Sequence, residues 1–387
     1  MYFERKLLSK LQKQLAMPEI LVVTGMRRTG KTTLCRMLFD RIESKNKVFV
    51  DMENPVNQKL FEELDYVNIL HNLKKTHGIS LEERLYVFLD EIQSVPESVK
   101  AVKYLYDHFG VKFILTGSSS FYLKNLMPES LAGRKFIYEL YPLDFEEFLW
   151  FKGKKLDREK NVFIYEQLKS DYDEYLEYGG FPGVVSENDP ENKKIRLDDI
   201  FKSYFEKDVQ IVGDFRDIGI FRDLLLLIMQ RTASKIDLGK LGSEVGIDRR
   251  TADKYLKFLE STYFIRLVMP YSTNRDNEIR GQKKVYLCDT GFLNRFAKVD
   301  SGCVFENAVF NTLDRRFNKV NYYQTKTGQE IDFVVPDEKM AFEVKYSGAG
   351  YDYQKLNRLP TKLDLKNFYV VTHNFDKRAG FIPALDL

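Results

Sequence analysis

The first half of the chain is predicted to be α/β, with a parallel sheet covered by helices on both faces. Short apolar runs of strand length alternate there with charged stretches of helical period. The runs are EILVVTG (19–25), KVFVDME (47–53), RLYVFLDE (84–91), KFILTGS (112–118) and RKFIYEL (134–140). β-Branched and aromatic residues favour buried strands, and strands that alternate with helices are typical of parallel sheets.

The rest of the chain divides by its pattern into three further units. Residues 142–215 have helical period, and residues 216–285 predict a helix, a helix-turn-helix and two strands. Residues 286–387 return to α/β character. We therefore expect four units, at 1–141, 142–215, 216–285 and 286–387.

Composition excludes several classes of protein. The 387 residues include 60 Lys and Arg against 57 Asp and Glu, a balance that excludes a wholly basic nucleic-acid-binding chain. Three distant Cys and four scattered His exclude a disulfide scaffold and a zinc site. The longest apolar run, Leu224 to Met229, is too short to cross a bilayer, and the charged N-terminus is unlike a signal peptide. These features predict a reduced, cytoplasmic protein without a membrane segment.

Residues 25–32, GMRRTGKT, have the spacing of a phosphate-binding loop between a strand and a helix. Glycines let backbone N–H groups converge on phosphate oxygens at a helix N-terminus. Lys31 is expected to reach the β- and γ-phosphates, and the Thr32 hydroxyl to ligate Mg²⁺. ATP and Mg²⁺ are therefore the predicted cofactors. The predicted nucleotide-binding residues of this segment are Gly25, Arg28, Thr29, Gly30, Lys31, Thr32 and Thr33.

Two carboxylates follow the apolar run of the third predicted strand. Ligands of α/β sheets bind at the carboxyl ends of strands, so Asp90 is expected to hold Mg²⁺ and Glu91 to polarise the attacking water. The next strand ends in ILTGSSS, which could bring Thr116 or Ser118 near the γ-phosphate. An equal alternative is that these residues only form a turn.

Five segments, taken in order, resemble the AAA-superfamily ATPases that archaea and bacteria carry with a DUF4143 C-terminal region. They are GMRRTGKTTL, FLDEIQSVP, ILTGSSS, SLAGRKFIYELYPLDFEEFL and YGGFPGVV. The resemblance covers essentially the whole chain, although only the phosphate loop is specific alone. It implies an AAA-type core with strand order 5-1-4-3-2 over residues 1–141 and a helical lid over residues 142–215.

The same resemblance implies roles for four residues. Thr116 and Ser118 would lie at the sensor-1 strand end, and Pro182 in the lid would pack on the nucleotide base. Arg134 would be an arginine finger that points into a neighbouring subunit, which implies a homo-oligomer such as a ring. A guanidinium near the γ-phosphate stabilises the charge of the transition state. The alternatives are that Arg134 only pairs with a surface acid, or that Arg27 or Arg28 has this role.

The segment IDLGKLGSEVGIDRRTADKYLKFLEST predicts a helix-turn-helix, with Asp248 capping the second helix. YFIRLVMPY and KKVYLCD would then form the wing of a winged helix over residues 216–285. Residues 221–285 hold 13 Lys and Arg against 8 Asp and Glu. DNA is therefore an expected partner, since the second helix of this motif can enter a major groove. The predicted contacts are Arg249, Arg250, Lys254 and Lys257; the alternative is a winged helix used for packing.

Acidic residues and one Lys form a second pattern near the C-terminus. Asp332 and the Glu343-x-Lys345 motif lie on adjoining predicted strands, with Glu306 on the preceding helix. The arrangement resembles the PD-(D/E)xK nuclease fold, placed over residues 286–387. Glu306, Asp332 and Glu343 would then bind a second Mg²⁺ while Lys345 orients a water. The alternative is a Glu–Lys pair on a domain that does not cleave.

Three functions remain open from the sequence. The first is a Mg²⁺-dependent ATPase that binds DNA and controls a nuclease domain. The second is an ATP-driven DNA-binding or oligomerising switch whose nuclease fold does not cleave. The third is a scaffold that presents a surface to protein partners.

Overall fold

The computed structural model of this chain describes residues 3–80, 82–117, 131–156, 162–210, 215, 217–272, 275–348 and 353–387. The chain divides into two compact units. The first comprises Met1–Tyr141, Ser203–Gly213 and Ser261–Tyr263, and the second comprises Pro142–Lys202, Asp214–Glu260 and Phe264–Leu387. The first long stretch ends at Tyr141. The further division into a lid, a winged helix and a nuclease-like domain stays a prediction.

The first unit contains a five-stranded parallel sheet, as the sequence predicts. Its order is β2-β3-β4-β1-β5, which is 5-1-4-3-2 when it is read from the other edge. The central strands β1 and β4 are buried along their whole length, because helices cover both faces of the sheet. The strands are β1 (Ile20–Thr24), β2 (Lys47–Asp51), β3 (Tyr86–Asp90), β4 (Lys112–Gly117) and β5 (Lys135–Glu139).

Helices close an apolar core on each face of this sheet. Leu21 and Val23 of β1 face one core, and Ile20 and Val22 face the other. This alternation follows from the two-residue period of a strand. The helices are α1 (Lys6–Gln14), α2 (Lys31–Asp40), α3 (Pro55–Phe61), α4 (Tyr66–His77) and α5 (Ser98–Phe109).

The second unit begins with helices, and they lie within the segment 142–215 for which helices are predicted. Asp144 starts the first of these helices with a capping box, in which its side chain accepts from the amide of Glu147. The helices are α6 (Phe145–Phe151), α7 (Val162–Tyr178), α8 (Pro182–Val185) and α9 (Pro190–Ser203). A π-helical segment, Tyr204–Val209, follows directly and belongs to the first unit.

Two short helices joined by a turn lie in the segment predicted to form a helix-turn-helix, and the winged helix itself stays a prediction. After α10 (Ile218–Gln230), α11 (Leu238–Glu244) and α12 (Arg249–Ser261) are joined by a turn that contains Gly246 at φ +76°. Asp248 caps α12 as predicted, because its Oδ1 accepts from the amides of Arg250 and Thr251 at 2.7 and 3.0 Å. Two antiparallel strands follow, β6 (Ile265–Val268) and β7 (Lys284–Leu287), with α13 (Arg275–Arg280) between them.

The C-terminal part of the second unit contains a five-stranded mixed sheet of order β12-β11-β10-β9-β8. Strands β8, β9 and β10 are antiparallel neighbours, whereas β10, β11 and β12 run parallel. Its strands are β8 (Asn321–Gln324), β9 (Glu330–Val335), β10 (Met340–Lys345), β11 (Asn367–Thr372) and β12 (Phe381–Pro383). Its helices are α14 (Thr290–Phe296), α15 (Ser301–Arg316), α16 (Tyr353–Leu356) and α17 (Arg358–Lys362). Among all the helices described, none has the length and apolarity to cross a membrane.

Candidate functional site

The phosphate loop joins β1 to α2 with the backbone that its glycines allow. Gly25 has φ +152°, and a Cβ there would lie 2.2 Å from the carbonyl oxygen of Leu140. Gly30 has φ +94° and caps the N-terminus of α2, where residues with a Cβ are strained. The amides of the first turn of α2 therefore face the position that a phosphate would occupy.

Lys31, the first residue of α2, has an ammonium group inside the loop. Its Nζ donates to the carbonyl oxygens of Gly25 and Met26 at 3.0 and 3.1 Å. The side chain is buried, and burial lowers the pKa of Lys31 while the carboxylates of Glu91, Asp208 and Asp90 oppose this shift. The ammonium thus lies inside the loop, where it would meet a phosphate that binds there.

Thr29 stabilises the same loop. Its hydroxyl donates to the carbonyl of Met26 at 2.9 Å, and its own carbonyl accepts from Arg5 Nη1 at 2.8 Å. Arg5 Nη2 also donates to the carbonyl of Tyr141 at 2.7 Å. Arg5, which the sequence analysis did not identify, therefore fastens the loop to the chain that follows β5.

Asp90 and Glu91 are held by Thr116 at the carboxyl ends of β3 and β4. Thr116 Oγ1 donates to Asp90 Oδ1 at 2.5 Å and accepts from the amide of Glu91 at 2.9 Å. Glu91 has φ +55°, a left-handed conformation that costs free energy in a residue other than glycine. The structure thus brings Thr116 to the carboxylate of Asp90 and to the backbone amide of Glu91, whereas Ser118 lies outside the described residues.

The oxygen ligands at this strand end suit Mg²⁺. Burial raises the pKa of Asp90, and hydrogen bonds from Thr116 and Thr32 partly counter the shift. Because Thr32 is in hydrogen-bond contact with Asp90, the hydroxyl and carboxylate predicted to hold Mg²⁺ lie together. Hard oxygen donors of this kind are what Mg²⁺ prefers. Asp51, at the end of β2, is paired with Asp90 across the sheet and was not predicted.

The two arginines of the loop differ in their surroundings. Arg28 is exposed and has φ +66°. Arg27 Nε donates to Asp208 Oδ2 at 3.0 Å, and the Asp208 side chain is only 3% exposed. Asp208, on the π-helical segment, is separated from Arg27 by 181 residues and belongs to no sequence motif, so no local pattern identifies it.

Arg134 lies at the start of β5 and forms an ion pair on the protein surface. Its Nε donates to Asp107 Oδ1 at 2.7 Å, and both side chains are about one-third exposed. This is the surface pair that the sequence left open as an alternative to an arginine finger. The finger role concerns a neighbouring subunit and stays a prediction.

The YGGFPG segment has a structural role within the second unit. A Cβ on Gly179 would lie 1.8 Å from Asp289 Oδ1, and the amide of Gly180 donates to Asp289 Oδ2 at 2.7 Å. Burial raises the pKa of Asp289 to about 6, although the hydrogen bonds that its carboxylate accepts from backbone amides act to lower it. Pro182 is the first residue of α8, and its predicted contact with a nucleotide base stays a prediction.

Asp332, Glu343 and Lys345 are brought together, as the second sequence pattern predicts. Strands β9 and β10 pair as far as Phe342 opposite Phe333, and the next residues in this register are Glu343 and Asp332. There the Asp332 carboxylate accepts from the amide of Val344 at 2.7 Å. Lys345 Nζ lies 2.8 Å from Glu343 Oε1.

Lys284 of β7 adds a buried cation that the sequence analysis did not identify. Its Nζ forms an ion pair with Glu330 and lies 3.4 Å from Glu306 Oε1, which also accepts from the Tyr286 hydroxyl at 2.7 Å. Burial alone would lower the pKa of Lys284, but the charges of Glu306, Asp332 and Glu330 raise it. The pKa values of Glu306 and Glu343 are raised to about 7 by burial and by the charge of Asp332.

This arrangement differs from the predicted three-carboxylate Mg²⁺ site. Within the part of the chain that the structure describes, no group of three or more His, Cys, Asp or Glu is placed to hold a metal ion. Glu306 is paired with Lys284 and Tyr286, and its predicted place in a Mg²⁺ site with Asp332 and Glu343 stays a prediction. The carboxylates are balanced by ammonium groups instead.

The basic residues predicted to contact DNA lie on α12. Arg249 and Arg250 are exposed in its first turn. Lys257 pairs with Asp253 at 2.6 Å, and the Lys254 ammonium lies 5.8 Å from the centre of the Phe215 ring. Apolar residues form the opposite, buried side of the helix.

Residues 17–149 match a family described as an AAA domain. Residues 169–302 and 301–382 match two domains of unknown function, DUF8612 and DUF4143. An uncharacterized protein of Haemophilus influenzae is 26% identical over 374 residues, which cover 92% of this chain and 90% of that protein. Protein MJ1544 of Methanocaldococcus jannaschii is 27% identical over 376 residues, which cover 92% of this chain and 82% of that protein.

Two solved structures have a low similarity to this chain. The Walker-type ATPase PABY2304 of Pyrococcus abyssi has a TM-score of 0.46 at 16% identity, covering 76% of this chain and 96% of that chain. The Aeropyrum pernix Orc1 protein, solved in complex with DNA, has a TM-score of 0.34 at 14% identity, and the match covers 82% of this chain and 94% of that chain. These TM-scores are too low to transfer a function. The segment that matches an AAA domain, residues 17–149, thus contains the phosphate loop, and the segment that matches DUF4143 follows it toward the C-terminus.

Proposed function

We propose that this protein is a Mg²⁺-dependent ATPase that acts on DNA. The observation that carries the ATPase proposal is the phosphate loop together with the adjacent Asp90–Thr116–Glu91 group. Amides of the loop and Lys31 would bind the phosphates, and Thr32 and Asp90 would hold Mg²⁺. Glu91 would orient the attacking water. Mg²⁺ supplies charge neutralisation on the phosphate oxygens when it is bound.

Replacing Lys31 tests the ATPase proposal. We expect Lys31→Met to lower the rate of phosphate release by about a hundredfold or more, because one fixed cation at the reacting phosphate is lost. Lys45→Met is the matched control, since Lys45 is an exposed lysine between α2 and β2. Equal hydrolysis by Lys31→Met and the parent would refute the proposal.

We infer that α12 binds the DNA backbone. Its support is the pair of exposed arginines in the first turn and the excess of basic residues in 221–285. Phosphate contacts make affinity depend on salt, with a slope that scales with the number of contacts. The alternative use of this helix is packing against another protein surface.

Charge reversal separates these two uses. The Arg249→Glu/Arg250→Glu variant should bind duplex DNA at least about tenfold more weakly, and its log–log salt slope should fall by about two. The control Lys10→Glu/Lys13→Glu makes the same change in charge on the exposed side of α1. An unchanged salt slope in the α12 variant would exclude this helix as the DNA-binding element.

A second candidate function is cleavage of DNA at Asp332, Glu343 and Lys345. Its support is the placement of Glu343 opposite Asp332, with the Lys345 ammonium 2.8 Å from Glu343. The position of Lys284 favours a site that binds DNA without cleaving it, because the Lys284 ammonium already neutralises part of the carboxylate charge.

Plasmid cleavage in the presence of Mg²⁺ distinguishes the hypothesis of DNA cleavage from that of DNA binding without cleavage. Under the cleavage hypothesis, Asp332→Ala and Lys345→Ala should each lose cutting, whereas Asp337→Ala should retain it. Asp337 is an exposed acid in the turn between β9 and β10 and serves as the control. If the parent itself leaves the plasmid intact, the protein is an ATP-driven DNA-binding switch and not a nuclease.

A further inference from the structure

The phosphate loop already forms an ion pair with a carboxylate of its own chain. Arg27 of the loop is paired with Asp208 at 3.0 Å, and the two side chains are 17% and 3% exposed. The charges of Asp208 and Glu91 also act on Lys31. A triphosphate that enters the loop would therefore meet a buried carboxylate at the same cations.

Asp208 lies on a segment with unusual geometry and connectivity. Tyr204–Val209 forms a π-helix, a rare conformation that is often found at functional sites. The Tyr204 hydroxyl lies 2.7 Å from Thr262 Oγ1, and Lys207 lies 3.8 Å from Glu53, so the segment is fastened within the first unit. The chain on either side of 203–213 belongs to the second unit.

We propose that Asp208 is a positioning residue that competes with the terminal phosphates of ATP for Arg27. ATP binding would separate the Arg27–Asp208 pair and loosen the π-helical segment through which the chain continues into the second unit. This inference rests on the proposed ATPase function and adds to it a way in which bound nucleotide would change the conformation of residues 203–210.

Electrostatics supports a competition of this kind. Burial raises the pKa of Asp208 to about 6, and Arg27 and Lys31 are the cations that oppose the shift, while Glu91 adds to it. A buried carboxylate that loses its cation is strongly destabilised. The charges of a triphosphate would draw Arg27 away and repel Asp208 in the same step.

The test measures the affinity of the full chain for a fluorescent, non-hydrolysable ATP analogue with Mg²⁺. Asp208→Asn should bind the analogue about three- to tenfold more tightly than the parent, since the competing charge is removed. Glu206→Gln is the matched control, because it removes one negative charge from an exposed position of the same segment. Asp208→Glu, which keeps the carboxylate, should retain an affinity close to the parent value.

The same substitution in a protein without Arg27 tests whether the change in affinity depends on the Arg27–Asp208 ion pair. In an Arg27→Met protein, adding Asp208→Asn should tighten binding clearly less than it does in the parent, because only the effect of Asp208 on Lys31 and on the phosphates remains. Hydrogen exchange of residues 203–210 should speed up in the parent when the analogue binds. Weaker or equal binding by a folded Asp208→Asn protein would overturn the inference, as would equal tightening with and without Arg27. Failure of the parent to bind the analogue would instead refute the ATPase proposal.

Discussion

Thr116 Oγ1 lies 2.5 Å from Asp90 Oδ1, so the end of β4 holds the carboxylate at the end of β3. The same hydroxyl oxygen accepts from the amide of Glu91, whose backbone is left-handed. One hydroxyl thus holds the carboxylate of Asp90 and the backbone of Glu91, the two acidic residues of the proposed ATPase site. A residue in a strained conformation persists only where its surroundings determine it, and Thr116 is part of those surroundings.

Replacing Thr116 by valine should slow ATP hydrolysis by about ten- to a hundredfold while ATP affinity changes little. The reason is that Glu91 loses the contact that orients it, whereas the loop that binds the phosphates is untouched. Thr24→Val is the matched control. Thr24 is a buried threonine at the end of β1 whose hydroxyl has no hydrogen-bond partner among the described residues. A parental rate of phosphate release by Thr116→Val would contradict this role.

The sequence predicted the parts of this protein that depend on local patterns. The strand runs, the glycine spacing around Lys31 and the carboxylates after β3 are each encoded within a few residues. Asp208 and Lys284 were missed because they reach their partners through the tertiary fold, across 181 residues to Arg27 and 22 residues to Glu306. Isolated acids and lysines have no periodicity, so no sequence window distinguishes them from surface charges.

The glycines of the YGGFPG segment should differ sharply in their tolerance of alanine. Gly179→Ala should lower the free energy of unfolding by about 3 kcal/mol or more, since its Cβ would overlap Asp289 and its φ is +75°. Gly183→Ala is the control, because open space surrounds that Cβ and alanine favours a helix by up to about 1 kcal/mol. Thermal unfolding of both variants checks this difference, and equal midpoints would contradict it.

The buried carboxyl groups of Glu306 and Glu343 should make stability depend on pH. The pKa values of Glu306 and Glu343 are raised to about 7, so the folded protein holds protons that the unfolded chain has released. The contribution of these groups is present below their unfolded pKa values and is lost as the pH rises through about 7. We expect the parent to be less stable at about pH 8 than at about pH 5 by roughly 1 to 3 kcal/mol from this source.

Glu343→Gln isolates that contribution, because glutamine has no proton to release. Its unfolding midpoint should fall less between these two pH values than the parent midpoint does. Asp337→Asn, in the exposed turn, should follow the parent. Identical pH profiles for the parent and Glu343→Gln would show that Glu343 is ionised in the folded protein over the whole range.

Arg134 tests whether ATP hydrolysis needs a second copy of the chain. An arginine that completes a neighbour's site stabilises the transition state, so Arg134→Ala should lower hydrolysis by about a thousandfold and spare ATP binding. Asp107→Asn is the matched control, since it breaks the surface pair but keeps the guanidinium. Mixing Arg134→Ala with Lys31→Met protein should restore some hydrolysis, because each supplies the group that the other lacks. Equal rates for the parent and Arg134→Ala would leave Arg134 as a surface partner of Asp107 and would remove this argument for a homo-oligomer.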